Sequence, residues 1–203
     1  MARLSNTEMT NKRARLKISL SCLFAVILPL FVDAQAVVVD KPQFRSVFNL
    51  QTQCPSQVEW TLHRSDIGKA SRSSSWTFLS DVADARALVT HYDYTASGYD
   101  RGHMCPALDR SRSLSDMQAT FVVSNICPQV PAVNRGTWKQ TETTCRRLAT
   151  VYDSVAIVSV PVFLHRDTTF IGRHRVAVPH AFFKAVWLPA RDSVLACWFI
   201  FNH

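Results

Sequence analysis

Three short segments carry side chains whose types and order suit acid–base and phosphate chemistry. They are Tyr99-Asp100-Arg101-Gly102-His103-Met104, Ser124-Asn125-Ile126-Cys127-Pro128-Gln129, and Asn134-Arg135-Gly136-Thr137-Trp138 continuing through Glu142 and Arg146. The imidazole of His103 can take a proton near neutral pH. The guanidinium groups of Arg101 and Arg146 can pair with phosphate oxygens in a planar fork. Asn134 offers a neutral amide oxygen, a donor suited to a hard cation such as Mg2+ that keeps most of its own waters.

Spacing constrains how these groups cooperate. If Asn134 opens a helix running to about residue 149 or 152, Glu142 lies roughly 80° around from it at about 100° per residue. Glu142 also lies about 12 Å further along the axis. Both side chains could hardly ligate one ion, so Glu142 is expected to hold a metal-bound water instead. Glu142 and Arg146 stand four apart and are expected to pair with each other. Taken singly, each residue has a plainer role. His103 would be a hydrogen-bonded structural histidine, Asn134 a helix N-cap, Trp138 a core residue, and Glu142 with Arg146 a solvated ion pair.

The elements that must position these groups are short and mixed. Residues 58–63 alternate as a half-buried strand does, and 64–75, with five serines, reads as an exposed loop. A short helix is expected over 113–119 and a strand over 120–124. Apolar strand-like runs follow at 155–163, 182–188 and 194–201. Strands and helices do not alternate regularly, which favours an α+β fold over a doubly wound sheet.

The chain has 203 residues, 47% of them hydrophobic and 19% charged, enough to bury a core and inconsistent with disorder. Lys12, Arg13, Arg15 and Lys17 precede a 15-residue apolar run, Ile18 to Val32, followed by small-x-small sites at Val32-Asp33-Ala34 and Ala34-Gln35-Ala36. That layout predicts a signal peptide over 1–34, a single domain over 36–203, and a secreted or periplasmic protein with no membrane association once the leader is removed. A membrane span would need about 20 apolar residues. The formal charge falls from +8 to +5 (18 basic against 13 acidic residues) without the leader, a balance that favours anionic partners. Export permits disulfides, but Cys54, Cys105, Cys127, Cys145 and Cys197 are odd in number, and spacing leaves their pairing open. No Cys-x-x-Cys or His-x-x-x-His pair supports a structural zinc site.

Asp-Arg-Gly-His-Met at 100–104, Ser-Asn-Ile-Cys-Pro-Gln at 124–129, and Asn134, Trp138 and Glu142 together resemble the DNA/RNA non-specific endonuclease family of ββα-metal nucleases. The resemblance extends from about Trp60 to Phe201. It implies a central, largely antiparallel sheet with flanking helices and a ββα-metal active-site motif. His103 would be the general base that activates water, and Asn134 the direct protein ligand of one Mg2+, with Mn2+ as a substitute. Glu142 would order the metal's waters. Arg101, Arg146 and, by a weaker alignment in the loop before Trp76, Arg72 would contact phosphate, while Asn125 would support the site. The implied partner is nucleic acid, DNA and RNA alike, gripped by its backbone without base readout, and the products would carry 5′-phosphate and 3′-hydroxyl ends. Some relatives form homodimers, and nothing in this sequence marks a dimer face.

Three departures from the family pattern bear on packing more than on chemistry. Thr141 stands where leucine is usual, Ser159-Val160-Pro161-Val162 replaces a common Gly-Pro turn, and the chain stops at His203 where many relatives continue. A catalytically impaired nucleic-acid-binding relative is the alternative reading. The joint presence of His103, Asn134 and Glu142 speaks against it.

Overall fold

A computed structural model describes residues 35–164 and 168–203. The leader expected over 1–34 lies outside the described residues. The strands are β1 (Ala36–Asp40), β2 (Arg45–Asn49), β3 (Cys54–His63), β4 (Asp100–His103), β5 (Ile126–Gln129), β6 (Ser154–Val162), β7 (Phe170–Ile171), β8 (Val176–Ala177), β9 (Ala181–Leu188) and β10 (Ser193–Phe201). Among the described residues two α-helices join them, α1 (Leu114–Gln118) and α2 (Lys139–Tyr152). The fold is α+β. Six strands form one sheet in the order β1-β2-β3-β6-β9-β10, every neighbouring pair antiparallel.

Alternation along the central strands sets the inner face. Val58, Trp60 and Leu62 of β3 lie opposite Ser159, Ile157 and Val155 of β6, and Ile157 in turn lies opposite Val186 of β9. All of these are buried. Helix α2 covers that face with Trp138, Thr141, Cys145 and Ala149, which recur at the three-to-four spacing of one helical stripe and are all buried. The Thr141 hydroxyl donates to the Trp138 carbonyl at 2.8 Å, so the threonine fits this stripe without an orphaned polar group. Strand β6 runs on through Pro161 to Val162, so no turn interrupts it.

Between β3 and β6, which are neighbours in the sheet, the chain makes a long excursion from Arg64 to Asp153. It is closed by a backbone hydrogen bond from Arg64 N to Asp153 O of 2.8 Å. Asp153 ends α2 at φ 68, a positive value uncommon for a residue with a side chain. Within this excursion β4 and β5 form a separate antiparallel ribbon.

Two expectations are corrected. Residues 120–124 do not form a strand; a 3-10 turn, Val123–Asn125, leads into β5, with only an isolated bridge between Leu79 and Val122. Side chains claim this backbone first, since Asn125 bonds the Thr120 carbonyl and Asp81 accepts from Ser124 N. Nor does a helix start at Asn134. Helical backbone begins at Pro131, a residue suited to a first turn because its missing N–H is not needed there.

Candidate active site

His103 ends β4, opposite Ile126 of β5. Its ring is enclosed by aromatic side chains, with centroids 5.1 Å from Phe78 and 4.8 Å from Phe121. Backbone bonds between Leu79 and both Phe121 and Val123 carry the preceding loop onto this spot. That loop also brings Arg72, whose guanidinium lies 4.9 Å from the centroid of Phe121. Burial pushes the His103 imidazole down to about 3, and the positive charge of Arg72 pushes in the same direction. The imidazole is therefore neutral throughout the physiological range. Its Nε2 is enclosed without a hydrogen-bond partner, while the residue as a whole is only half-buried.

Gly102 is required by what crosses it. A Cβ at this position would collide with the side chain of Gln129, which lies flat over the glycine and is fully buried. Beyond His103, Asn125 clamps the chain. Its Oδ1 accepts from Cys105 N at 2.8 Å, its Nδ2 donates to the carbonyls of Cys105 and Thr120 at 2.9 and 3.0 Å, and its own carbonyl accepts from Met104 N. Asn125 is fully buried, so it fixes the direction of the segment after the histidine and has no surface left for a substrate. Arg101 is half-buried. Its Nε donates to the His91 carbonyl at 3.2 Å and its Nη2 to Thr95 at 3.1 Å.

The second half of the site is a π-turn, Val133–Trp138, running directly into α2. Such a turn takes up one extra residue, so the step from Asn134 to Glu142 counts as seven α-helical steps rather than eight. The two side chains then fall within about 20° of one face instead of the 80° expected for a regular helix. Asn134 donates its Nδ2 to Asp100 Oδ2 at 2.9 Å, and Arg135 pairs with both oxygens of the same carboxylate at 2.7 and 2.8 Å. The hydrogen bonds of Arg135 and Asn134 hold Asp100 below the ordinary carboxylate range despite its partial burial. With its nitrogen committed to Asp100, Asn134 has its Oδ1 left as the end that can meet a cation. Trp138 Nε1 donates to the His103 carbonyl at 3.0 Å, joining the helix to the ribbon.

Glu142 and Arg146 do not pair. Arg146 donates to Asp109 at 2.9 Å and to Thr143 at 3.2 Å. Asp109 is a fully buried carboxylate that also accepts from Trp60 Nε1 at 3.1 Å. A desolvated carboxylate attracts the arginine more strongly than a half-buried glutamate one turn away. Glu142 has no hydrogen bond or ion pair among the described residues. Burial pushes its carboxyl up to about 7, against the pull of Lys184.

The fold thus gathers His103, Asn125 and Trp138 in one bonded unit, sets Arg72 beside it, and turns Asn134 and Glu142 to one side. Arg101 and Arg146 are both anchored by protein groups. Four residues escaped sequence reasoning: Asp100, which orients Asn134; Phe78 and Phe121, which desolvate His103; and Asp109, which holds Arg146. Asp100 lies inside the first motif, which is the one signal the sequence offers; its partners Asn134 and Arg135 stand 34 and 35 residues away. Among the described residues no group of three or more His, Cys, Asp or Glu forms a cation cage. One freed amide oxygen with a carboxylate on the same side suits a hydrated hard cation rather than a dehydrated one.

A six-stranded antiparallel sheet carrying a two-stranded ribbon joined to a helix defines the class as α+β, with the candidate site at the ribbon–helix junction. The chain belongs to the DNA/RNA non-specific endonuclease family, whose model matches residues 27–199. It is 36% identical over 132 residues to mitochondrial endonuclease G of Bos taurus, covering 61% of this chain and 44% of that protein. It is 33% identical over 181 residues to the mitochondrial nuclease of Saccharomyces cerevisiae, covering 79% of this chain and 55% of that protein. The chain therefore spans about half the length of these relatives. A crystal structure of EndoG in complex with EndoGI, reported for the mechanism of EndoG inhibition, superposes with a TM-score of 0.71 at 26% identity over 82% of this chain and 74% of that one.

Proposed function

We propose that this protein is a metal-dependent endonuclease that hydrolyses phosphodiester bonds of DNA and RNA without base preference. The observation that carries the reading is the bonded unit of His103 and Trp138, with Asn134 oriented by Asp100 on the same helix. A structural histidine would have its nitrogens satisfied, whereas Nε2 of His103 has no partner.

In this reading His103 accepts a proton from the attacking water. The incoming phosphate opposes the repulsion by Arg72 and the loss of solvation, so the imidazolium becomes accessible only when substrate is present. The water oxygen bonds to phosphorus and the bond to the 3′ oxygen breaks, leaving 5′-phosphate and 3′-hydroxyl ends. Arg72 and the unused donors of Arg101 and Arg146 grip the backbone, which carries no sequence information. Asn134 would hold Mg2+, or Mn2+ in its place, and Glu142 would orient its waters; the ion would supply charge stabilisation at the phosphate and acidity for the leaving oxygen.

The 1–34 segment supports a secreted or periplasmic enzyme made of residues 36–203. The two curated relatives described above are mitochondrial, so the N-terminus of the mature protein, read by Edman or mass analysis, decides the destination. Association as a homodimer is open to sedimentation. The functional test is nicking of supercoiled plasmid and degradation of total RNA with Mg2+, with EDTA, and with His103→Ala. Cleavage of both substrates that needs the metal and vanishes in the variant supports the reading. A folded protein inert on both nucleic acids overturns it and leaves the impaired, nucleic-acid-binding alternative.

A further inference from the structure

Lys184 occupies an inward position of β9, between Phe182 and Val186, where the strand's alternation calls for an apolar side chain. It is fully buried, and its Nζ has no hydrogen-bond partner. An ammonium in such a place is costly unless other charges or ring faces stabilise it. The structure supplies both. Nζ lies 3.9 Å from the centroid of Trp138 and 5.5 Å from that of Trp60, close enough for the ring faces to attract it. Its charge also acts on two carboxylates of the site, Glu142 and Asp109.

Resting on the nuclease reading above, we propose that Lys184 is a positioning residue for the cleavage reaction. Its buried ammonium lies against the face of the Trp138 indole whose N–H holds the His103 carbonyl, and so braces the strand that presents His103.

The geometry separates this role from simple packing. Trp138 uses its ring face for Lys184 and its N–H for His103, so one indole connects the buried ammonium to the base. The charges that bear on Glu142 are Lys184, Arg146 and Lys139, which favour its carboxylate, and Asp109, which opposes it. Arg146 is already paired to Asp109, so much of its charge is spent there. Lys184 makes no such pair, and among these cations it has the largest effect on Glu142. A methionine of similar length would fill the same space and leave the core intact, because a buried charge exchanged for an apolar group of like shape is often neutral or stabilising.

The test compares wild type, Lys184→Met and Lys184→Arg. Plasmid cleavage is followed across pH, and the carboxyl titration of Glu142 is followed by carbon NMR in metal-free protein. The expected result is a Lys184→Met protein that melts no lower than wild type, loses at least about tenfold in kcat at neutral pH, and shows the Glu142 titration and the acid limb of cleavage moved to higher pH. Lys184→Arg, which keeps the charge, recovers part of the loss. A folded Lys184→Met with unchanged kcat, pH profile and Glu142 titration overturns the proposal. If Lys184→Met does not fold, the carbon shift of Lys184 Cε in wild type decides: a protonated amine at pH 7.5 is required, and a neutral one overturns it. Absence of metal-dependent cleavage by wild type would instead refute the nuclease reading, which the Glu142 titration does not depend on.

Discussion

The indole nitrogen of Trp138 donates to the carbonyl oxygen of His103 at 3.0 Å, across 35 residues of sequence. This contact holds the ribbon that carries His103 against the π-turn and helix that carry Asn134 and Glu142. Trp138→Phe keeps the ring stack on Phe182, 5.3 Å away, and removes the donor. The lost hydrogen bond should cost about 1 kcal/mol of stability. Cleavage should lose about tenfold or more in kcat with KM little changed. A variant equally destabilised but fully active would mean that the His103 strand is held by other contacts.

Asp100 orients Asn134, and such outer contacts typically govern metal affinity by about 10–100-fold. Asp100→Ala should weaken Mg2+ activation by that range, read as the metal concentration for half-maximal cleavage. Arg135→Ala leaves the Asn134–Asp100 hydrogen bond in place and should shift it by only a few-fold. Equal effects from the two variants would refute the orienting role.

Gly102 and Gln129 form a steric pair. Gly102→Ala should destabilise the protein severely, because the added methyl meets a buried side chain lying on the strand. The colliding atoms of Gln129 all lie beyond its Cβ, so Gln129→Ala in the same chain should restore folding. Thermal melting of the single and double variants measures the coupling.

Acid stability should carry the mark of His103. Its folded pKa of about 3 lies below the ordinary value of 6.5. Between these values the unfolded chain binds a proton that the folded chain refuses, so stability falls as pH drops from about 6.5 toward 3. The slope from this residue is at most about 1.4 kcal/mol per pH unit. Glu142 acts in the opposite sense: its folded pKa of about 7 exceeds the ordinary 4.5, and its contribution is present below 4.5 and lost as pH rises toward 7. The two slopes oppose each other between about 4.5 and 6.5, so His103→Phe should be flatter than wild type between pH 3 and 4.5 and lose stability with rising pH between 4.5 and 7, whereas Glu142→Gln should gain stability with rising pH across 4.5 to 6.5 and lose the decline between 6.5 and 7. Curves parallel to wild type in those windows would contradict the assigned protonation states.

Much of the site was legible because its parts are local. The motifs around His103, Asn125 and Asn134 are contiguous, and β3, β6, β9 and β10 announce themselves through alternating or continuous apolar runs. The strands β1 and β4 are too short or too polar to do so, and β4 contains a glycine whose purpose lies in Gln129, 27 residues away. An inserted residue in one helical turn leaves no periodic trace across Val133–Trp138, so the facing of Asn134 and Glu142 could not be read from spacing. Arg146 was paired with its neighbour Glu142 because local rules see only the helix, whereas its partner Asp109 arrives from another part of the chain. Lys184 shows the opposite failure. One cation in an apolar strand was visible, and only the sheet's parity reveals that it points inward.

Arg72 through Arg146 all lie in the excursion that leaves β3 and returns at β6, gated by the bond between Arg64 and Asp153, while Lys184 comes later still. Pairing of β3 with β6 joins residues about a hundred apart in sequence, such as Val58 and Ser159, a contact of the kind that forms late and slowly. During synthesis the two halves of the site therefore have no frame to meet on until β6 has been made. A nascent chain that already carries every motif residue still holds only scattered pieces of a site.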